Sequence, residues 1–127
     1  MRIVLTAALA ATLMASLAAG AAEPVDNCAT VLGSIAVELR IARNLPPGRK
    51  SSYQCPKAYR SYGSLVGASR ERIQRSLGTP DRRAEDGGWS YFFASKYAEV
   101  PEGAPVLVIH FGDEDLVESI ACQRSGA

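Results

Sequence analysis

The chain is poor in the residues that build catalytic and metal centres. Of its 127 residues one is a histidine, His110, and three are cysteines, at positions 28, 55 and 122. A zinc site needs several His, Cys or carboxylate ligands at recognisable spacings. The one histidine and three cysteines of this chain show no such spacing. The one nucleophile–base pair on offer, Cys122 with His110, has no third group to orient it. We therefore expect a non-enzymatic protein with no cofactor and no metal.

A surplus of one sign of charge is also missing. The 14 basic and 13 acidic side chains give a formal net charge of +1, and loss of Arg2 with a signal segment would leave 13 of each. Nucleic-acid binding needs clustered positive charge, so we expect no nucleic-acid partner. The charges are still segregated, because nine basic side chains fall in residues 38–78 and nine acidic ones in residues 79–127. This pattern indicates either two halves that attract each other or a basic patch for anionic lipid headgroups.

The first 22 residues predict a secretory signal peptide. Arg2 supplies the positive start, residues 3–19 are apolar and rich in Ala and Leu, and Gly20-Ala21-Ala22 offers a cleavage site. An uncleaved membrane anchor is the alternative, which so short and weakly apolar a run disfavours. The lipoprotein-like box Leu17-Ala18-Ala19-Gly20 lacks the following cysteine. We expect an exported, periplasmic protein that is soluble or peripherally associated with the outer membrane, without a lipid anchor.

The three cysteines of an exported chain predict one disulfide and one remaining thiol. Sequence alone leaves all three pairings open. We favour Cys28–Cys55, because a helix that turns back through Leu45-Pro46-Pro47-Gly48 brings its flanks together.

The N-terminal part of the mature chain predicts a helix and a loop. Residues 28–43 repeat apolar side chains at helical spacing, and the Pro46-Pro47-Gly48 that follows cannot continue a helix. Residues 49–63 are polar and rich in Ser and Tyr without a clear period. They predict a loop with a helical turn near residues 57–62.

The run from Gly67 to Pro80 predicts a second, short helix. Ser69 can accept a hydrogen bond from a free N–H of the first turn. Ile73 and Leu77 form a narrow apolar stripe, while Gly78 and Pro80 end the helix.

Three later segments alternate or concentrate apolar residues in a way that predicts strands: Trp89–Phe93, Leu107–Phe111 and Leu116–Cys122. Alternation places Trp89, Tyr91 and Phe93 on one face. These aromatics predict either core packing or a partly exposed platform for a protein partner. Phe92, on the opposite face, is the expected exposed member. The fold class is α+β, with helices on one face of a small three-stranded antiparallel sheet and an extra N-terminal helix.

These elements, in this order, resemble the SmpA/OmlA (BamE-like) family, which shares its arrangement with the β-lactamase-inhibitor-protein fold. The resemblance covers roughly residues 62–121. It is carried by Val66-Gly67-Ala68-Ser69, Ile73, Leu77-Gly78-Thr79-Pro80, Trp89-Ser90-Tyr91-Phe92-Phe93, Leu107-Val108-Ile109-His110-Phe111 and Val117-Glu118-Ser119-Ile120. The chain departs from the family in lacking its lipid-bearing cysteine and a glycine near Asp115. We divide it into a signal (1–22), an N-terminal extension with Cys28 and Cys55 (23–61), a SmpA/OmlA-like domain (62–122) and a tail (123–127).

The resemblance implies a binding or assembly module, because the BamE-like member of this family is a component of the outer-membrane β-barrel assembly machinery. The alternative is a secreted or periplasmic enzyme inhibitor or immunity protein, as in the related inhibitor fold. Partners would be envelope proteins, among them the β-barrel assembly machinery or a target enzyme, and anionic lipid headgroups. The residues expected to contact partners are Trp89, Tyr91, Phe92, Arg70, Arg72, Arg75, Arg82 and Arg83.

Overall fold

The computed structural model describes residues 27–46, 54–96 and 99–125. The predicted signal peptide, residues 47–53 and the last two residues of the tail lie outside these ranges. The elements in chain order are α1 (Asn27–Arg43), a 3₁₀ helix (Lys57–Leu65), α2 (Arg70–Leu77), β1 (Arg82–Arg83), β2 (Trp89–Phe92), β3 (Pro105–Phe111), a 3₁₀ turn (Asp113–Asp115) and β4 (Val117–Arg124).

Helix α1 confirms the first predicted helix almost to the residue. Its apolar stripe is buried, and the basic residues Arg40 and Arg43 lie in its last turn, where they face the negative end of the helix dipole. The buried stripe consists of Val31, Leu32, Ile35, Leu39 and Ala42. Within the described ranges, no helix is both long enough and apolar enough to cross a membrane.

The 3₁₀ helix extends the helical turn that was predicted near residues 57–62. The Lys57 N–H donates to the Glu38 carboxylate at 3.0 Å, so a side chain of α1 satisfies the first free donor of this helix. Tyr62 and Leu65 are buried against the core. The segment that begins the 3₁₀ helix is therefore held along the middle of α1.

Helix α2 follows its predicted capping pattern. Ser69 Oγ accepts a hydrogen bond from the Arg72 N–H at 3.1 Å, and the Gly78 N–H donates to the Gln74 carbonyl. Gly78 has a φ of 82°, a backbone conformation that favours glycine. Ile73 and Leu77 are buried, so this short helix is held by packing of its single apolar stripe.

The sheet has four antiparallel strands in the order β1-β2-β3-β4, and the prediction of three strands is wrong by one. The three predicted strands are present as β2, β3 and β4. The missing one, β1, contains only Arg82 and Arg83, which pair with Ser90 and Trp89. Two exposed charged residues carry no apolar alternation, so nothing in their pattern indicates a strand.

Helices pack on one face of the sheet, which makes an α+β architecture of two layers. Trp89, Tyr91, Leu107 and Ile109 are 0–4% exposed and belong to the same apolar cluster as the buried side of α1. The core interpretation of the aromatic strand is thereby confirmed. The predicted division between residues 61 and 62 falls inside the 3₁₀ helix, and helices from both sides of it share one core.

The disulfide joins Cys55 to Cys122, so the predicted Cys28–Cys55 pairing is wrong. Lys57, two residues after Cys55, contacts Glu38, which lies about 15 Å along α1 from Cys28 at the rise of an α-helix. Cys122 stands opposite Leu107 in β4, on the face that the helices cover, with its Cα 5.9 Å from that of Cys55. Cys28 is a free thiol packed at the border of the core.

Candidate protein-binding site

The face of the sheet that points away from the helices is the main candidate surface. Alternation along β2 and β3 places Ser90, Phe92, Val106 and Val108 on this outer face, opposite the core residues. Register adds Gln123 of β4, which pairs with Val106. In the described part of the chain, the apolar core cluster lies on the other side of the sheet.

A groove of about 550 Å³ runs over this outer face. We call it the outer groove and define it by its floor and rim. Phe92, Val106 and Val108 form its apolar floor, with Val106 buried and the other two half-buried. Val100 is 39% exposed at its wall. The polar residues of the rim are Arg82, Ser90, Glu102, Gln123, Arg124 and Ser125.

The rim of the outer groove is more basic than acidic. The Arg82 guanidinium carbon lies 5.3 Å from the centroid of the Phe92 ring, a cation–π contact that keeps its charge at the groove. Arg124 donates to the Gly103 carbonyl at 2.9 Å, which fixes a second guanidinium at the other wall. Glu102 is the acidic residue of the rim. The groove therefore combines an apolar floor with two positioned cations.

Two of the predicted contact residues lie in the core. Trp89 and Tyr91 face the helices and are 4% and 0% exposed, so they offer no surface to a partner. The Tyr91 hydroxyl donates to the Gly78 carbonyl at 2.9 Å, which ties β2 to the end of α2. Burial raises the pKa of the Tyr91 phenol above its ordinary range.

The five predicted arginines do not form one patch. Arg70 packs over Trp89 and Phe111 and is engaged in hydrogen bonds within the fold. Arg82 lies at the outer groove, and Arg83 lies 6.0 Å from the Trp89 ring. Arg75 lines a different groove, at the C-terminal end of α2, and Arg72 belongs to the first turn. Only Arg82 joins Phe92 in the candidate site.

The structure separates the one pair that resembled a catalytic dyad. Cys122 is oxidised in the disulfide and faces the core. His110 lies on the outer face, with Nδ1 3.8 Å from an Asp86 carboxylate oxygen. Among the described residues, no group of three or more His, Cys, Asp or Glu side chains is placed to hold a metal ion.

Two comparisons with known proteins identify no family for the chain. No family model matches the sequence. No curated protein matches it significantly either. The resemblance to the SmpA/OmlA family thus stays a prediction that rests on the order of elements and on short motifs.

Sequence reasoning missed half of the outer groove. Alternation places Val106 and Val108 on the same face of the strand as His110, and it gives no reason to prefer the two valines. Val100 lies outside the three predicted strands, and Arg124 lies in the predicted tail. Their position follows from β4 extending to Arg124 and from the loop returning beside it, which local pattern does not encode.

Proposed function

We propose that the protein is a non-enzymatic, exported binding module that docks a partner protein of the cell envelope on the outer face of its sheet. The observation that carries this proposal is Phe92. It is a large aromatic side chain on the face opposite the core, set in an apolar floor and covered in part by the Arg82 guanidinium. Aromatic and arginine side chains dominate the binding energy of protein interfaces.

The chemistry of the outer groove defines the partner segment that fits it. The apolar floor suits one large aliphatic or aromatic side chain of the partner. Burying that side chain removes its own apolar surface and that of the floor from water. Arg82 and Arg124 at the rim favour carboxylates beside that side chain. The expected segment is therefore apolar at its centre and acidic at its flanks.

The disulfide and the order of elements support an envelope location. A disulfide persists in oxidising compartments, and Cys55–Cys122 fits the secretory signal that the first 22 residues predict. The four-stranded sheet with helices on one face is compatible with the SmpA/OmlA-like domain predicted for residues 62–122. On this proposal the β-barrel assembly machinery is the first partner to test.

Enzyme inhibition is the second candidate, and the same disulfide favours it. It ties the strand next to the outer groove to the segment ahead of the 3₁₀ helix, so the sheet is held in one shape before it meets a partner. Inhibitors that bind enzymes tightly are usually preorganised in this way, because a rigid surface loses less conformational freedom on binding.

Site-specific photo-crosslinking tests the proposal. A photoreactive amino acid replaces Phe92 in one protein and Val37 in the control. Val37 is exposed on α1, in the opposite layer. Crosslinked proteins are then identified from the periplasm of the native host. We expect an identified envelope protein to be captured at position 92 and not at position 37, with capture reduced by competing unlabelled protein but not by its Phe92→Ala variant.

Three outcomes decide between the candidates. Capture of a component of the β-barrel assembly machinery supports the assembly role. Capture of a hydrolase whose purified activity falls when the protein is added supports inhibition. Equal capture at positions 92 and 37, or undiminished competition by Phe92→Ala at unchanged melting temperature, would rule out docking on the outer face.

A further inference from the structure

The solvent-facing side of α1 carries almost no charge. All 17 residues of this helix are described, and Arg40 is the charged one among those that are exposed. The other two charged residues of the helix are engaged within the fold: Glu38 accepts the Lys57 N–H, and Arg43 pairs with Asp81. The exposed positions of α2, by contrast, are charged or polar throughout. A helix that faces water normally resembles α2, so α1 is the exception.

A row of apolar residues occupies this side of α1. It consists of Ala29, Gly33, Val37 and Ile41, which follow one another at four-residue intervals and form one ridge along the helix. Val37 is 53% and Ile41 60% exposed. We call these four residues the outer ridge. The core of a protein interface is depleted of charge in the same way.

Contacts inside the chain do not explain the glycine of this ridge. A glycine in the middle of a helix destabilises it relative to alanine. The position is open, because no described atom of another element lies within 4 Å of the Cβ that an alanine at position 33 would add. Gly33 therefore leaves a hollow in the outer ridge, one helical turn before the exposed Val37.

We propose that the outer ridge is the interface with a second copy of this chain, in which two α1 helices pack antiparallel about a two-fold axis. The ridge is small in its first half, at Ala29 and Gly33, and large in its second half, at Val37 and Ile41. An axis near residue 35 sets Val37 of each copy into the Gly33 hollow of the other, and Ile41 against Ala29. Parallel pairing would instead set large against large and small against small.

Charge favours the same direction. Arg40 lies in the last turn of α1, and the first turn contains no acidic residue. Asp26 is the residue that precedes the helix in the sequence. Antiparallel pairing brings the end of each helix, with Arg40, next to residue 27 of the other copy. Opposite charges then meet at both ends of the contact, whereas parallel pairing brings Arg40 next to Arg40.

The size of the contact sets the expected strength. A helix of 17 residues is about 25 Å long, so one such pair buries less than the roughly 1,600 Å² of a standard interface. Without Arg2 the basic and acidic side chains are equal in number, so two copies do not repel each other by net charge. We expect a reversible dimer with a dissociation constant of about 10–100 µM.

Sedimentation equilibrium measures this self-association. The full chain is expressed with its own first 22 residues, and the exported product is studied from about 5 µM to about 500 µM. Val37→Glu is the test variant and Val66→Glu its matched control, because the two valines are 53% and 54% exposed and both changes add one negative charge. We expect Val37→Glu to weaken the dimer about tenfold or more, and Val66→Glu by less than about twofold.

A second variant separates loss of association from loss of folding. Gly33→Gln fills the hollow with a better helix former and adds no apolar residue to the ridge. We expect it to raise the melting temperature of the dilute protein and to weaken the dimer about tenfold. A variant that merely misfolded would lose both.

Chemical crosslinking tests the direction of pairing. Cys28→Ser first removes the free thiol, and Ala29→Cys and Ile41→Cys are then made separately in that background and mixed. In the antiparallel dimer positions 29 and 41 of the two copies lie side by side, while like positions are about 18 Å apart along the helices. A bismaleimide linker too short for that distance is expected to join 29 to 41, and neither position to itself.

Four results would overturn the proposal. They are a monomer over the whole concentration range, equal weakening by Val37→Glu and Val66→Glu, linking of like positions, and a monomer whose position 37 captures a different protein. Phe92→Ala is expected to leave self-association unchanged, because Phe92 lies on the face of the sheet opposite the helices. The result is therefore independent of partner docking in the outer groove.

Discussion

The Arg70 guanidinium lies over the Phe111 ring, with its carbon 3.9 Å from the ring centroid. It is also 5.0 Å from the centroid of Trp89, donates to the Gly87 carbonyl at 2.7 Å and pairs with the Asp115 carboxylate at 3.2 Å. One side chain at the start of α2 thus holds the β1–β2 turn, the end of β3 and the following 3₁₀ turn. Arg70 is a structural residue rather than part of a binding patch.

Replacing Arg70 by methionine tests this role. We expect a loss of about 2 kcal/mol in the free energy of unfolding, because a charged hydrogen bond to a carbonyl and a partly buried cation–π contact disappear together. Urea denaturation followed by tryptophan fluorescence measures it. Arg82→Met is the control, since that cation–π contact at 5.3 Å is exposed, and its loss is expected to stay below about 0.5 kcal/mol. Similar losses in the two variants would contradict the structural role of Arg70.

The disulfide gives the largest expected effect. Cys55 and Cys122 are 67 residues apart, and closing a loop of that size restricts the unfolded chain by about 4 kcal/mol in the chain-entropy treatment. Cys55→Ser and Cys122→Ser are each expected to lower the denaturant midpoint strongly and by similar amounts. Cys28→Ser, which removes the free thiol, is expected to have a small effect. If Cys28→Ser were as destabilising as the other two, the assigned connectivity would be wrong.

Tyr62 carries an unusual buried hydroxyl. Its Oη has no hydrogen-bond partner among the described residues, although the side chain is only 7% exposed. An unsatisfied buried hydroxyl costs about 1–3 kcal/mol, so Tyr62→Phe is expected to raise the free energy of unfolding by about 1 kcal/mol. A destabilised Tyr62→Phe variant would mean that the hydroxyl does have a partner.

The same residue predicts a dependence on alkaline pH. Burial, with a smaller contribution from the Glu38 charge, raises the pKa of Tyr62 to about 12 from an ordinary value of 10.0. Between these values the unfolded chain releases the phenolic proton and the folded chain keeps it. The unfolded state then binds fewer protons, so stability falls as the pH rises from 10 towards 12. Denaturation at several pH values should show a shallower decline for Tyr62→Phe than for the natural protein.

The cap of α2 offers a smaller, cleaner test. Ser69 Oγ accepts the Arg72 N–H at 3.1 Å, and α2 has only eight residues. Ser69→Ala is expected to cost about 1 kcal/mol in unfolding free energy, the usual effect of losing an N-cap. Ser76→Ala, at an exposed position in the same helix, controls for the change of residue. Equal effects at both positions would show that the cap does not stabilise the helix.

Local pattern was sufficient for most of the fold. The helix over 28–43, the Ser69 cap and the three apolar strands each depend on neighbours within a few residues, so the sequence predicts them directly. Alternation also puts Tyr91 and Phe92 on opposite faces of the strand, and the packing of the helices decides that Tyr91 is the inner one. Strand β1 could not be found this way, since Arg82 and Arg83 are a strand only because β2 lies beside them.

The candidate sites were predictable in part. Phe92 was expected on the outer face, and Arg82 and Arg75 were expected to contact partners. The two arginines belong to different grooves, however, because one lies at the edge of the sheet and the other at the end of a helix.

The sequence by itself determined where the two α-helices and the three longer strands form, which side chains share a strand face and that two of three cysteines should pair. Tertiary structure alone decided that Cys55 pairs with Cys122 and that Arg70 makes its contacts within the fold. It also decided that Arg40 and Arg75 line the same groove. The reason is physical. Periodicity and capping are properties of residues that are close in sequence. A disulfide or a groove instead depends on which distant residues the fold brings together. Here the contact between Glu38 and Lys57 places the segment that contains Cys55 away from Cys28.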